Sequence, residues 1–580
     1  MKKNKLGLIT LSILSLSLIA CGNKTSSDVS KSSDDPVTTD NNKTDNKGSS
    51  ADSNFISEDE ATGGIVYTLD ETNSYYIVTD YLSVEYDIVI PSTYQGIPVR
   101  EIGEAAFRYA TIDTLRLPSS IRKIGKEAFM GLSSDSKLTE LVIPEGVEEI
   151  DDAAFMYCPS ITDVQLPSTL KTIGSGVFHI SFYIKKVKVA SNSNYLTAVN
   201  NVLYSKDKKV LYFYPAGLNF TTYDLPSEVE EIADMAFYGN QVLTSINITK
   251  DSNLTTIGYR SLAAMSALTS LSLDKASKLT NLGGYCLSEN SALLKVTFPE
   301  SVTELSEYML YKASSLQAVT FKGKYTTIPN GCFKDCNKLT TFTIPEGVTS
   351  IGDEAFAICN AMTTITVPDS VAEIGTGAFS GCYALTSFTV PSKVTVLKKD
   401  VFTACRSMEH IYFAGNNITE ICDQAFSGCD VMTSLDLSNQ PITKIGQCAF
   451  LRVSSLKEIT LPATLETVGQ YAFEYCSSLE KVKFGSKITS IGSFAFYSCG
   501  ALDYVYLPKS IRSIGSCAFR TTMAVEGTVK LYFEADSFTN EDAEAGTNIT
   551  NGTISYSKTE ADFDNDSTAT DSTDSGEENA

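Results

Sequence analysis

The chain has 580 residues and a formal charge of −23, a balance that argues against nucleic acid as a partner and gives no attraction to anionic membrane surfaces. Its 43% hydrophobic and 10% aromatic content is ample for a packed interior. Two histidines and no tryptophan leave little material for His-dependent catalysis or a multi-histidine metal site.

Lys2, Lys3 and Lys5 precede an apolar run from Leu6 to Ala20, too short to cross a bilayer as a stable helix, which takes about 20 residues. A charged start followed by such a run predicts an export signal over residues 1–20. The run closes on Leu18-Ile19-Ala20-Cys21-Gly22, which resembles the lipobox of bacterial lipoproteins; that resemblance implies cleavage before Cys21 and a diacylglycerol on its sulfur. The rest of residues 21–64 is mostly Ser, Thr, Asp, Asn and Lys, which cannot repay the entropy of ordering and reads as a disordered tether. The expected location is the extracellular face of a bacterial cell membrane, with the lipid as the only membrane contact. Residues 65–100 contain "GIVYTL" overlapping their start, then "SYYIVTDYL" and "YDIVIPSTYQGIPV", short β-branched and aromatic runs that predict a β-rich N-terminal cap.

From residue 101 to 534 one pattern recurs. "IGDEAFAICNAMTTITVPDSVAE" from Ile351 is followed by "IGTGAFSGCYALTSFTVPSKVTV" from Ile374, a period of 23 residues in which Phe356 meets Phe379 and Cys359 meets Cys382. Copies start at 102, 124, 150, 173, 232, 257, 282, 305, 328, 351, 374, 397, 421, 445, 468, 491 and 514, and in each the residue five places on is Phe or Leu. A period in the twenties with apolar residues in fixed phase predicts stacked turns that bury their apolar side only against neighbours. Segments such as "LTSFTVP" (385–391) alternate apolar and polar residues and end at proline, which predicts one strand per turn in a long parallel sheet. "GDEAF" and "GTGAF" suggest short helical turns on the opposite side.

The repeat, approximately "LP..L..I...AF..C..L..I.", resembles the BspA-like leucine-rich repeat of bacterial surface proteins over about residues 101–534. The resemblance implies an α/β leucine-rich-repeat solenoid with one parallel sheet on the concave face and short helical turns on the convex side. It also implies extracellular display and adhesion or host-protein binding, and it carries no shared catalytic residues.

The copies at 173 and 232 are 59 residues apart, so an irregular insert lies near 190–222. "NNVLYSKDKKVLYFYPAG" within it predicts a β-hairpin that either bulges from the stack or forms an irregular turn of its own. Beyond the repeats, 535–558 reads as a C-terminal cap and 559–580 as a disordered acidic tail.

Fourteen cysteines in an exported chain would ordinarily suggest disulfides. Eight of them (158, 336, 359, 382, 405, 429, 476, 499) fall eight residues after a repeat start, a phase that predicts an inward ladder of free packing thiols. Cys332 and Cys336 have no histidine nearby for a metal site. Asp562, Asp564 and Asp566 begin like a calcium loop, but Ser567 and Thr573 stand where glycine and glutamate belong. No catalytic residue, metal or cofactor is expected.

The outward residues of the strands are the candidate site. Thr297, Thr320, Thr343, Thr366 and Thr389 form a uniform threonine column. Toward the C-terminus it gives way to His410, Tyr412, Asp436, Glu458, Thr460, Lys481, Lys483, Tyr504 and Tyr506, a mix of aromatics and both charges suited to holding a protein or glycan. The expected function is non-enzymatic binding at the cell surface, with a passive spacer as the alternative and a carbohydrate-active enzyme behind it.

Overall fold

The computed structural model describes residues 54–520, 529–540, 550 and 552–568. All belong to the unit Asp52–Ala580; the export signal, Cys21, the first part of the tether and residues 569–580 lie outside the described residues.

Within that unit the chain is a stack of turns made largely of short parallel strands. Most turns contribute to two ladders, where the sequence predicts a single sheet. Strands of three or four residues, such as Thr341–Thr343, pair with the next turn residue for residue, as in Phe342 with Ile365. Two-residue strands ending on the repeat-start position, such as Ser350–Ile351 and Glu373–Ile374, form the second ladder, with Ile351 opposite Ile374. The residue after the repeat-start position is usually glycine for a steric reason: a Cβ on Gly375 would sit 2.4 Å from the Asp353 nitrogen of the preceding turn.

The third side is not helical, which corrects the expectation for "GDEAF" and makes the α/β label loose for a chain built mostly of strands. In the turn from Ile351, Glu354 (φ 52°) and Ile358 (φ 61°) are left-handed, and their counterparts throughout the repeats share that sign. This alternation turns successive amides in different directions. The N–H groups of Glu354, Phe356 and Ile358 donate to Thr376, Ala378 and Ser380 of the next turn at 2.7–2.8 Å, while those of Ala355, Ala357 and Cys359 donate three residues back. A helix keeps all its amide bonds within one segment; here half of them tie one turn to the next, a third ladder.

Inside the three ladders run the phenylalanines. Phe356, Phe379 and Phe402 are fully buried, and consecutive rings stack at 5.6 and 5.8 Å with planes within 10°. The column runs from Phe333 to Phe519 and, near the N-terminus, from Phe107 to Phe178. The insert belongs to the stack. Val202–Ser205 pairs antiparallel with Leu196–Val199 and Val210–Phe213, and the last of these pairs in parallel with Glu231–Ile232. Phe213 then meets Phe178, and Tyr214 stacks on Phe237 at 4.9 Å, so the insert forms a turn of its own and continues the aromatic column.

At the start, Ile65–Leu69 and Tyr76–Tyr81 form an antiparallel pair whose second strand joins Ile97–Ile102 in parallel. At the other end Lys530–Phe533 and Thr553–Ser555 extend the long-strand ladder. The segment Glu560–Thr568, expected within a disordered tail, is an α-helix. Thr559 and Asp562 begin it reciprocally: the Thr559 N–H donates to the Asp562 carboxylate, and the Asp562 N–H to the Thr559 hydroxyl, a capping box.

Candidate functional site

The C-terminal part of the long-strand ladder carries the predicted site residues. Alternation along a strand sends every second residue outward, and the register aligns those residues in two columns. Ser434 faces Glu458 and Asp436 faces Thr460. Lys481, Tyr504, Lys530 and Thr553 align in one column, and Lys483, Tyr506, Tyr532 and Ser555 in the other. His410 and Tyr412 lie on the strand that pairs with Ser387–Val390, placing Tyr412 beside Thr389 at the end of the threonine column.

The structure divides these residues into an open part and a covered part. His410, Asp436 and Glu458 are exposed, Tyr412 is 54% exposed, and Lys481 is half-buried. Tyr504 and Tyr506, taken from the sequence as exposed, retain 7% and 6% exposure, because Phe563 of the C-terminal helix lies over them. The Phe563 ring, 2% exposed, sits 6.5, 6.0 and 6.3 Å from the rings of Tyr504, Tyr506 and Tyr532.

Lys483 fixes the helix on this face. Its Nζ lies 2.8 Å from a Glu560 carboxylate oxygen, 2.9 and 3.1 Å from the two of Asp564, and 6.0 Å from the Phe563 ring centre. Partial burial disfavours the Lys483 ammonium, but the two carboxylates outweigh it and raise its pKa above the ordinary lysine value. Lys530 lies 4.7 Å from the Tyr504 ring centre and within 3.3 Å of its hydroxyl. Between the helix and the strand Glu458–Thr460 is an open cleft of about 720 Å³ bordered by Glu458, Lys481, Lys483, Tyr506 and Phe563.

Lys530, Tyr532 and Phe563 were not among the predicted site residues. "KLYF" has the same outward alternation as "YVYL" in the preceding turn, and Thr559-x-x-Asp562 is a legible helix start; both signals stand in a segment whose overall composition reads as cap and tail.

The other candidates do not assemble into a site. Cys336 Sγ donates to Leu310, Cys359 Sγ to Phe333 and Cys382 Sγ to Phe356, backbone carbonyls one turn earlier, at 3.2–3.4 Å. Asn290 and Ser181 make the same bond from the same phase. These cysteines are free and buried, and burial pushes the Cys382 thiol up to about 12. No cluster of three or more metal-ligating side chains occurs among the described residues, and none of their helices is long and apolar enough to cross a membrane. His179 is buried against Tyr238 at 4.0 Å, many turns from exposed His410.

The sequence model described as "BspA type Leucine rich repeat region (6 copies)" matches residues 86–206, 211–340, 326–440 and 419–540. The chain belongs to this BspA-type leucine-rich repeat family. Solved structures similar to it include a leucine-rich repeat protein from Bacteroides ovatus (19% identity, 86% of this chain and 99% of that one, TM-score 0.48). Others are a leucine-rich repeat protein from Eubacterium ventriosum (23%, 55% and 93%, TM-score 0.38) and a leucine rich cell surface protein from Faecalibacterium prausnitzii (18%, 87% and 96%, TM-score 0.28). A comparison with curated protein sequences gives no match. In this BspA-type chain the family's repeat supplies the stack, and the chemistry that varies lies on the outward columns.

Proposed function

We propose that this protein is a non-enzymatic binding protein, carried outside a bacterial cell on a lipid at Cys21, whose outward long-strand face holds a protein or glycan. The observation that supports this reading is the change along the face from threonines to an open group of Tyr412, His410, Asp436 and Glu458 beside a cleft of about 720 Å³. Backbone pairing holds these side chains in fixed register, so contact with a partner loses little further ordering entropy. Aromatic rings with charged neighbours serve both protein and glycan surfaces. One observation favours a spacer for the middle of the stack: Thr343 and Thr366 pair within a plain column of exposed threonines, which offers solubility and little recognition chemistry.

The test is a glycan array and a panel of extracellular matrix proteins, probed with the parent and with Tyr412→Ala/Glu458→Ala. Both residues are exposed, so the double variant keeps its fold. The binding reading predicts at least one probe that the parent holds about tenfold more tightly than the variant, a difference of about 1.4 kcal/mol. A parent that binds no probe favours the spacer. Hydrolysis of any probe would overturn the non-enzymatic reading.

A further inference from the structure

The helix Glu560–Thr568 is an unusual cover. It has nine residues, and isolated helices shorter than about 12–15 residues are marginal in water. Its sequence "EADFDNDST" is poor in strong helix formers, and of the side chains described along it only Phe563 is buried. The Phe563 ring over the tyrosines, and Lys483 with the carboxylates of Glu560 and Asp564, hold it against the sheet. The surface beneath is the opposite in character. Tyr504, Tyr506 and Tyr532 sit on two adjacent turns locked by strand pairing, around a space that fits one aromatic ring, and Lys483 and Lys530 lie beside it in a chain whose net charge is −23. A rigid aromatic cage rimmed by lysines therefore holds a weakly self-supporting acidic segment. The cleft bordered by Glu458 and Lys481 continues past the helix, leaving room for a ligand longer than the segment now bound.

We infer that the Tyr504–Tyr506–Tyr532 cage is a binding site for an acidic peptide segment carrying an aromatic side chain, and that the chain's own Glu560–Thr568 occupies it until such a partner displaces it. This deepens the proposed function, since it assigns a ligand class to one end of the same face. The bound segment displays the recognition rules: an aromatic ring in the cage, with carboxylates three residues before it and one after it on Lys483. Displacement loses the cis contacts and recovers the same contacts in trans. Because the tether makes the cis segment compete at an effective concentration of about millimolar, only a partner with additional contacts in the cleft, or present at high local density, would win.

The experiment titrates a fluorescent synthetic peptide of residues 557–568 into the full-length parent and into full-length Phe563→Ala, followed by anisotropy. The probe is the protein's own segment, so the outcome is independent of whether any matrix protein or glycan binds elsewhere on the face. Phe563→Ala frees the cage, and the variant is predicted to bind the peptide at least tenfold more tightly than the parent. Adding Lys483→Glu in the same chain, or replacing the peptide's Phe563 by Ala, is predicted to remove that gain. Thermal unfolding of the repeats should stay within about 2 °C of the parent, since the substitution lies on the appended helix. Equal affinity in parent and Phe563→Ala, or binding of neither up to millimolar peptide, would overturn the inference. So would a concentration-dependent dimer of the parent that Phe563→Ala abolishes, which would assign the cage to the tail of a second copy.

Discussion

The thiol of Cys359 donates to the carbonyl of Phe333, one turn back, across 3.2 Å. That carbonyl also accepts the Cys336 N–H of its own turn, so the thiol meets the second lone pair of a buried oxygen. The ladder cysteines are thus interior hydrogen-bond donors, a role that Asn290 and Ser181 fill in other turns. With the Cys382 thiol pushed by burial up to about 12, its thiolate fraction at neutral pH is negligible. Cys336, Cys359 and Cys382 should therefore be silent to a thiol reagent in the native protein and react fully in denaturant, as counted by mass spectrometry. Cys359→Ala should lower stability by about 1–2 kcal/mol, through a small cavity and a lost weak bond, read from the urea midpoint.

The aromatic column predicts a larger loss. Phe379 is fully buried between Phe356 and Phe402, so Phe379→Ala should cost about 3–5 kcal/mol. In a linear stack each turn touches only its neighbours, so the damage should be local. Limited proteolysis of that variant should cut near residues 351–405 before it cuts the ends.

The left-handed turn positions make the opposite kind of prediction. Gln424 has φ 57°, which glycine adopts without the Cβ penalty that other residues carry. Gln424→Gly should raise stability by up to about 1 kcal/mol, and Gln424→Val should lower it by about 1–2 kcal/mol, each read from the shift of the urea midpoint. If the segment were helical, Gln424→Gly would instead lower stability, by up to about 1 kcal/mol, so the sign of the glycine variant separates the two conformations.

Much of this architecture was legible in the sequence, and the losses have identifiable physical causes. The 23-residue period fixed which residues are inside, and Phe356, Phe379 and the cysteine ladder are buried as their phase requires. The third side was misread because Ala-Phe after small or acidic residues has helical composition, while the sign of φ at Glu354 or Gln424 leaves no composition signal when most turns place residues other than glycine there. The second ladder escaped because a two-residue strand has no alternation to read. Tyr504 and Tyr506 do occupy outward strand positions, yet Phe563 buries them from far along the chain. A contact such as Lys483 with Asp564, 81 residues apart, has no local signature. The capping box at Thr559 was the one local sign that the tail begins with structure.

Acid should weaken the protein through His179. Burial first, and the Arg260 charge second, lower its pKa from 6.5 to about 4. Since the folded state favours the neutral ring, the unfolded chain takes up the proton first as pH falls. The contribution is intact above about pH 6.5, declines below it, and is lost by about pH 4, amounting to about 3 kcal/mol. His179→Leu should therefore show a flatter stability profile than the parent between pH 6.5 and 4.5, measured by urea titration at each pH.

Amide hydrogen exchange at residue resolution tests the central claim, that turns tied by three ladders make a rigid wall with a loosely held cover. The N–H groups of Glu354, Phe356 and Ile358, bonded to the next turn, should be protected as strongly as those of the strand Thr341–Thr343. The amides of Glu560–Thr568 should exchange at least a hundredfold faster. Fast exchange at Glu354, Phe356 and Ile358 would contradict the third ladder, and protection of the C-terminal helix equal to that of the strands would contradict a displaceable cover.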